Sequence, residues 1–337
     1  MEKLKVAIIG TGHIAQTAHV PGFTSDESEV IAVCSRSKEK AISFAEKFSI
    51  IHPFDSIDEM LEKTQPDIVS VCTPNAFHYD AVMKSLDAGC HVLCEKPPAT
   101  NYQHAKQMEE KAGEKNKILG YNFPYRQKKE LSIVKKCLDE NFFGSIYHIN
   151  ASFTRRRGIP GWGNFIDKDL QGGGALIDIG IHVLDLALHI LNYPEPLHVS
   201  ASVYDYIGKQ PGIGLMGNWD PEKFTVEDSC FAHIRLKNNH SISLQAAFAL
   251  NTEKKNSVNL EIFGSKAGAS LFPLQLYTEQ EGELVDINFP FQEEINHKEL
   301  SVHKFVETCL GHSTNICSAR EGSSLQNLIE MLYQSAK

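Results

Sequence analysis

The chain has 337 residues, which at about 150 residues per domain points to two domains. Its 33 basic and 42 acidic residues leave a formal charge of −9. It therefore lacks the basic surplus that nucleic acid or an anionic membrane surface attracts. With 42% apolar and 22% charged residues it can build ordinary cores and is not disordered.

The N-terminus, Met1 to Gly10, carries only a short apolar stretch before a turn, a first strand rather than a signal peptide. No apolar run approaches the roughly 18 residues that span a bilayer. Strands are expected at Leu4–Ile9, Val30–Cys34, Ile68–Cys72, His91–Cys94 and Ile118–Gly120. Amphipathic helices are expected between them, at Lys38–Phe48, Ile57–Lys63, Ala76–Ala88 and Tyr102–Lys115. Runs such as Val-Ala-Ile-Ile are apolar on both faces, as buried parallel strands are. This alternation predicts an α/β domain with a doubly wound parallel sheet over residues 1–122.

From Phe123 onward the rhythm changes. A helix near Lys128–Glu140 leads to a strand at Ile146–Thr154, a glycine-rich loop, and a long helix from about Ala175 to Leu191. Strands at Val199–Tyr206, Ser229–Leu236, Ser241–Ala249 and Ser257–Phe263 then follow without intervening helices. That order predicts an α+β domain with an open, mostly antiparallel sheet over residues 123–337. Residues 207–226 read as a loop or lid, and Lys298–Leu310 and Glu321–Ala336 as helices. The eight cysteines are scattered and none forms C-x-x-C, so a reduced, cytoplasmic protein is expected rather than a disulfide or zinc scaffold. No histidine pair with a carboxylate has metal-ligand spacing, so no metal site is expected.

Gly10-Thr11-Gly12-His13-Ile14-Ala15 directly follows the first strand and opens a helix. Gly10 permits the tight turn, Gly12 lets the backbone approach a pyrophosphate, and Ala15 lets the helix pack on the strand. The helix N-terminus offers free N–H groups to the anion. An enzyme preferring NAD carries an acid at the end of the second strand, about 20 residues on. Here that end reads Cys34-Ser35-Arg36, without a carboxylate. Arg36 can stack on adenine and bind a 2′-phosphate, so NADP(H) is expected ahead of NAD(H), read by Ser35 and Arg36.

Two further segments follow strands: Thr73-Pro74-Asn75-Ala76-Phe77-His78, and Glu95-Lys96-Pro97-Pro98. A third, Gly172-Gly173-Gly174, precedes Asp178 and His182. Asp178 and His182 are four residues apart and share a face if helical. Together these segments resemble the glucose–fructose oxidoreductase, inositol dehydrogenase and rhizopine catabolism family (Gfo/Idh/MocA), in the right order over nearly the whole chain. The resemblance implies reversible oxidation of a hydroxyl on a sugar, sugar derivative or cyclitol. It implies a homodimer or homotetramer assembled through the open sheet, and C-terminal helices, 298–337, packed back on the first domain. It places Thr73, Pro74, Asn75, His78, Glu95 and Lys96 beside the cofactor and makes Lys96, Asp178 and His182 catalytic.

The chemistry agrees with those assignments. Hydride leaving to a nicotinamide requires a base for the hydroxyl proton, and histidine has a suitable pKa. A lysine at the carboxyl edge of a parallel sheet can stabilise a developing alkoxide. Tyr121, Arg157 and Trp162 are candidates for contact with a carbohydrate-like substrate, whereas His19, His52 and His189 read as structural or exposed. Two rivals remain: a cofactor-retaining enzyme that cleaves glycosides through transient oxidation, and a non-catalytic nucleotide-sensing Rossmann protein.

Overall fold

The computed structural model describes residues 2–290, 295–312 and 315–337. It divides into two compact units, residues 1–127 with 296–326, and residues 128–295 with 327–337.

The first unit is built on β1 (Leu4–Ile9), β2 (Ser28–Cys34), β3 (His52–Phe54), β4 (Ile68–Val71), β5 (His91–Glu95) and β6 (Leu119–Asn122). They run parallel in the order 6-5-4-1-2-3, the doubly wound order expected of a dinucleotide fold. The four residues Val6 to Ile9 are all buried, as sequence runs apolar on both faces require. The short β3 has no counterpart among the expected strands, because His52 and Pro53 interrupt its apolar pattern.

Local signals start the surrounding helices. Ser37, Ser56 and Asn101 each accept a backbone N–H at a helix start, and Ser49 and Gln65 close two of these helices in the left-handed conformation. The helix His297–Cys309 is distant from β1 along the chain, yet it belongs to this unit. Its Val302, Phe305 and Val306 pack with Val6, Phe23, Ile68 and Leu93.

The second unit holds β7 (Ile146–Arg155), β8 (Pro196–Tyr204), β9 (Ser229–Leu236), β10 (Ser241–Ala247), β11 (Asn256–Gly264), β12 (Gly268–Leu271), β13 (Leu274–Gln280) and β14 (Glu283–Asn288). Their order is 14-13-12-11-7-10-9-8, antiparallel except for β7 and β10. Alternate residues, Ile149, Ala151 and Phe153 on β7 and Ile242, Leu244 and Ala246 on β10, are buried on one face. Gly180, at the head of the helix Ile181–Ile190, approaches Ala246 so closely that a Cβ there would lie 2.7 Å from the alanine's. The expectation that no run could span a bilayer needs correction. Lys168–Ile190 is long and apolar enough by length and composition, but most of it is buried as a core helix. A strand set beyond β11 was not expected either; β13 carries Gln275, Glu279 and Gln280 and meets β14 at a turn with positive φ at Glu281 and Gly282.

Because Phe305 is fully buried against β1 and β5 residues, Phe305→Ala should cost about 3–5 kcal/mol. Urea unfolding checks this; a loss below about 1 kcal/mol would mean that the helix contributes little to the first unit's core.

Candidate active site

In the first unit the carboxyl ends of β1, β4 and β5 carry the three predicted segments. Gly10 has φ +108°, and a Cβ there would stand 2.5 Å from the carbonyl oxygen of Cys72. Only glycine fits that turn. Gly12, by contrast, has open space where a Cβ would be, and both it and His13 are exposed. Ile14 is half-buried, and Ala15 is fully buried against the sheet cluster. Thr73 Oγ1 is buried and makes no hydrogen bond among the described residues. A backbone turn open on its ligand side, the start of a helix and an unsatisfied hydroxyl fit a dinucleotide.

Arg36 is exposed, and its guanidinium carbon lies 4.9 Å from the centre of the Phe77 ring. The stretch after β2, Ser35 to Ser37, contains no carboxylate. His78 is fully buried, with Nδ1 2.8 Å from the Pro97 carbonyl and Nε2 2.9 Å from the Thr73 carbonyl. It ties the Thr73–His78 segment to the Glu95–Pro98 segment. Burial holds its pKa below the ordinary value, outweighing the two carbonyls that favour its proton. The broad depression of 890 Å³ in this unit is lined by Leu4, Asp67 and His91, at the amino ends of the strands. Ligands of such sheets bind at the opposite edge.

Glu95 is buried, and its carboxylate is fully engaged. Oε1 accepts from His19 Nε2 at 2.8 Å and from Asn122 Nδ2 at 2.7 Å, while the Lys96 N–H donates to Oε2 at 3.3 Å. The Glu95 side chain thus turns toward His19 and Asn122 within the first unit. His19, read as structural or exposed, is fully buried; its Nδ1 lies 2.7 Å from Ser70 Oγ. Burial alone would lower its pKa, but Cys72 and Glu95 outweigh that and lift it to about 10. Its partners hold the Glu95 carboxyl below the usual range against the opposing effect of burial. No periodicity marks His19; its partners lie 51 and 76 residues away.

In the second unit the glycines have definite reasons. Gly172, at φ +83°, ends the short helix Lys168–Gln171. A Cβ on Gly173 would fall 2.1 Å from the Tyr333 hydroxyl, and one on Gly174 2.0 Å from the Glu227 carbonyl. The buried Glu227 carboxylate accepts from the N–H of Gly174 at 2.8 Å, the N–H of Leu176 at 2.9 Å and the Tyr333 hydroxyl at 2.8 Å. It anchors the start of the helical run that carries the predicted pair, at the end that favours an anion. Burial raises its pKa above the ordinary carboxylate value. Neither Glu227 nor Tyr333 stood out in the sequence.

Asp178 lies in a π-helical turn, Leu176–Gly180, and His182 in the first turn of the α-helix after it. Both spacings return a residue four positions on to nearly the same face, so the two side chains share one side of the run. Asp178 is buried and His182 half-buried, its ring centre 6.5 Å from that of Phe153.

The three substrate candidates separate. Tyr121 is 1% exposed on β6, its ring against Gly322, where a Cβ would approach to 2.1 Å. It is a core residue, and the substrate expectation for it is withdrawn. Arg157 is half-buried and donates from Nη2 to Asn251 Oδ1 at 2.8 Å. It lines a 290 Å³ groove with Tyr206 and Ile213. Trp162 is 56% exposed on the loop that follows, and Gly161 beside it donates to the Met216 carbonyl at 2.9 Å. Arg126 is buried and donates to the Ile316 carbonyl and Glu321, a structural tether of the first unit.

Residues 4–123 match the oxidoreductase family with an NAD-binding Rossmann fold, and residues 132–270 match the Gfo/Idh/MocA C-terminal domain. The chain belongs to the Gfo/Idh/MocA oxidoreductase family. It is 40% identical to the D-glucoside 3-dehydrogenase of Escherichia coli K12, over 99% of this chain and 95% of that protein. The fold also resembles solved structures. The aldose-aldose oxidoreductase from Caulobacter crescentus, complexed with glycerol, has a TM-score of 0.82 at 22% identity, over 99% of this chain and 98% of that one. Levoglucosan dehydrogenase in complex with NADH and levoglucosan has a TM-score of 0.84 at 21% identity, over 99% and 97%. The chain is a nicotinamide-dependent dehydrogenase or reductase acting on CH–OH groups, as its family is.

Two outcomes follow from the site's geometry. The His19 pKa is raised above its unfolded value near 6.5, so the stability it contributes is fully present below pH 6.5 and lost as pH rises through about 10. Nitrogen-15 NMR of the His19 ring should show an imidazolium at pH 8; a neutral ring there would contradict the raised pKa, since a neutral ring can still donate from Nε2 to Glu95. Gly10→Ala should abolish NAD(H) binding measured by nicotinamide fluorescence, and wild-type affinity would show that the turn tolerates a Cβ.

Proposed function

We propose that this dehydrogenase oxidises a ring hydroxyl of a D-glucoside, or reduces the matching ketone. The full-length 40% identity to a D-glucoside 3-dehydrogenase carries the substrate class. Lys96, Asp178 and His182 supply the chemistry. The nicotinamide, when bound, supplies the hydride acceptor. His182 takes the hydroxyl proton, the general-base role to which an imidazole is suited. Asp178, on the same helix face, orients the imidazole or binds a neighbouring hydroxyl. Lys96 stabilises the oxygen as negative charge develops on it.

The dinucleotide is held by Gly10, Gly12, His13 and Ile14 at the turn and by Thr73, Pro74 and Asn75 beside it. His78 and Glu95 act from beneath those segments. Ser35 and Arg36 favour NADP(H): the absence of a carboxylate after β2 leaves a 2′-phosphate unopposed, and the Phe77 ring supports the guanidinium. NAD(H) remains usable. Arg157 and Trp162 contact the sugar. The eight cysteines, none of them in a disulfide, suit a reducing, cytoplasmic setting. Association into a dimer or tetramer uses the outer face of the second sheet, where Tyr204, Phe231 and Tyr277 are exposed.

Lys96→Ala and His182→Ala should each lower kcat by at least about 100-fold with NAD(P)H affinity kept within threefold. Full turnover of a D-glucoside by both variants would overturn the assignment. Arg36→Ala should weaken NADP(H) binding at least about tenfold more than NAD(H), the worth of one lost charge-assisted contact. Equal losses would mean that Arg36 reads only the adenine.

A further inference from the structure

We propose that His19 is a positioning residue for Lys96, acting through Glu95. The inference rests on the catalytic role proposed above for Lys96. Five elements of the first unit converge on one buried carboxylate. Ser70 on β4 meets His19 in the π-helical turn Ala15–His19, and His19 meets Glu95 at the end of β5. Asn122 at the end of β6 donates to the same carboxylate oxygen, and Ser301 of the helix His297–Cys309 donates to Asn122 Oδ1 at 2.7 Å. The second carboxylate oxygen receives the backbone N–H of Lys96.

Burying so many polar groups costs more than burying apolar ones of the same volume. The arrangement gains little as a generic core. Its geometry does one specific thing: it fixes the rotamer of Glu95 and, through Oε2, the backbone from which Lys96 projects. The π-helical turn contributes to this. Pro21 has no N–H to return to the preceding turn, and the widened ladder before it sets His19 facing the sheet. Asn122 can hold Oε1 without His19, but the carboxylate would then lose its charged partner. Its remaining neighbours are Lys96, Cys94 and the more distant His78, none of which replaces a hydrogen bond from beneath.

The test uses the whole chain with methyl D-glucoside, unlabelled or deuterated at the oxidised carbon, and compares His19→Leu with His19→Gln. His19→Leu should lower kcat by about 10–100-fold, the effect of an ångström-scale displacement of a catalytic group. KM for the glucoside and the affinity for NAD(P)H should change less than threefold. The deuterium isotope effect on kcat should rise as the chemical step becomes limiting. His19→Gln keeps a side-chain N–H for Glu95 and should recover most of kcat. Three results would overturn the inference: an unchanged kcat and isotope effect in His19→Leu, a loss shared equally by kcat and cofactor affinity, or no recovery in His19→Gln despite normal folding. If Lys96→Ala itself turns over fully, it is the catalytic reading that fails. If Lys96→Ala is inactive and His19→Leu is not, only the role of His19 fails.

Discussion

A carboxylate removed from water must be met by charge and hydrogen bonds, and Glu95 is the point where that requirement organises the first unit. It sits at the end of β5, where a parallel sheet presents its ligand-binding edge. Satisfying it draws in a histidine from the first helix, an amide from β6 and, through that amide, a serine from the helix His297–Cys309. The residue after it is Lys96. Removing one partner of such a buried pair typically costs about 3–5 kcal/mol, because the remaining charge is left unpaired. The same contacts that stabilise this edge therefore also hold the lysine's backbone in place.

The second unit solves a parallel problem with a second buried carboxylate. Glu227 sits at the start of the helical run bearing Asp178 and His182, and it satisfies the orphan N–H groups of Gly174 and Leu176. Gly172 is required by its positive φ, and Gly173 and Gly174 by the Tyr333 hydroxyl and the Glu227 backbone carbonyl, which occupy the space where their side chains would stand. In both units the residue proposed to react, Lys96 or His182, is partly exposed, while the group that places it is buried.

Much of this was legible in the sequence because it is local. Gly10, Gly12 and Ala15 act within six residues of one another, and Asp178 and His182 within one helical turn. Apolar runs on both faces announced the parallel strands. The rest depends on contacts between distant residues. His19, Asn122 and Ser301 are single polar residues without a pattern, joined across 76, 27 and 179 positions. Tyr121 looked like a substrate contact because it follows the last strand expected in the first sheet, but its side chain points into the core against Gly322. Strands β12 and β13 escaped notice because the first is a four-residue Gly-Ala-Ser-Leu run and the second carries Gln275, Glu279 and Gln280, residues of weak β propensity.

The central claim is that the chain moves a hydride between a glycoside hydroxyl and a nicotinamide as a net reaction. Carbon-13 NMR of the products formed from methyl D-glucoside and NADP⁺ or NAD⁺, with the absorbance of the reduced nicotinamide followed in parallel, tests it most directly. The account predicts a keto-glucoside with its methyl group still attached and one reduced nicotinamide for each molecule formed. Release of methanol with no net reduction of the nicotinamide would contradict it and identify a glycoside-cleaving enzyme instead.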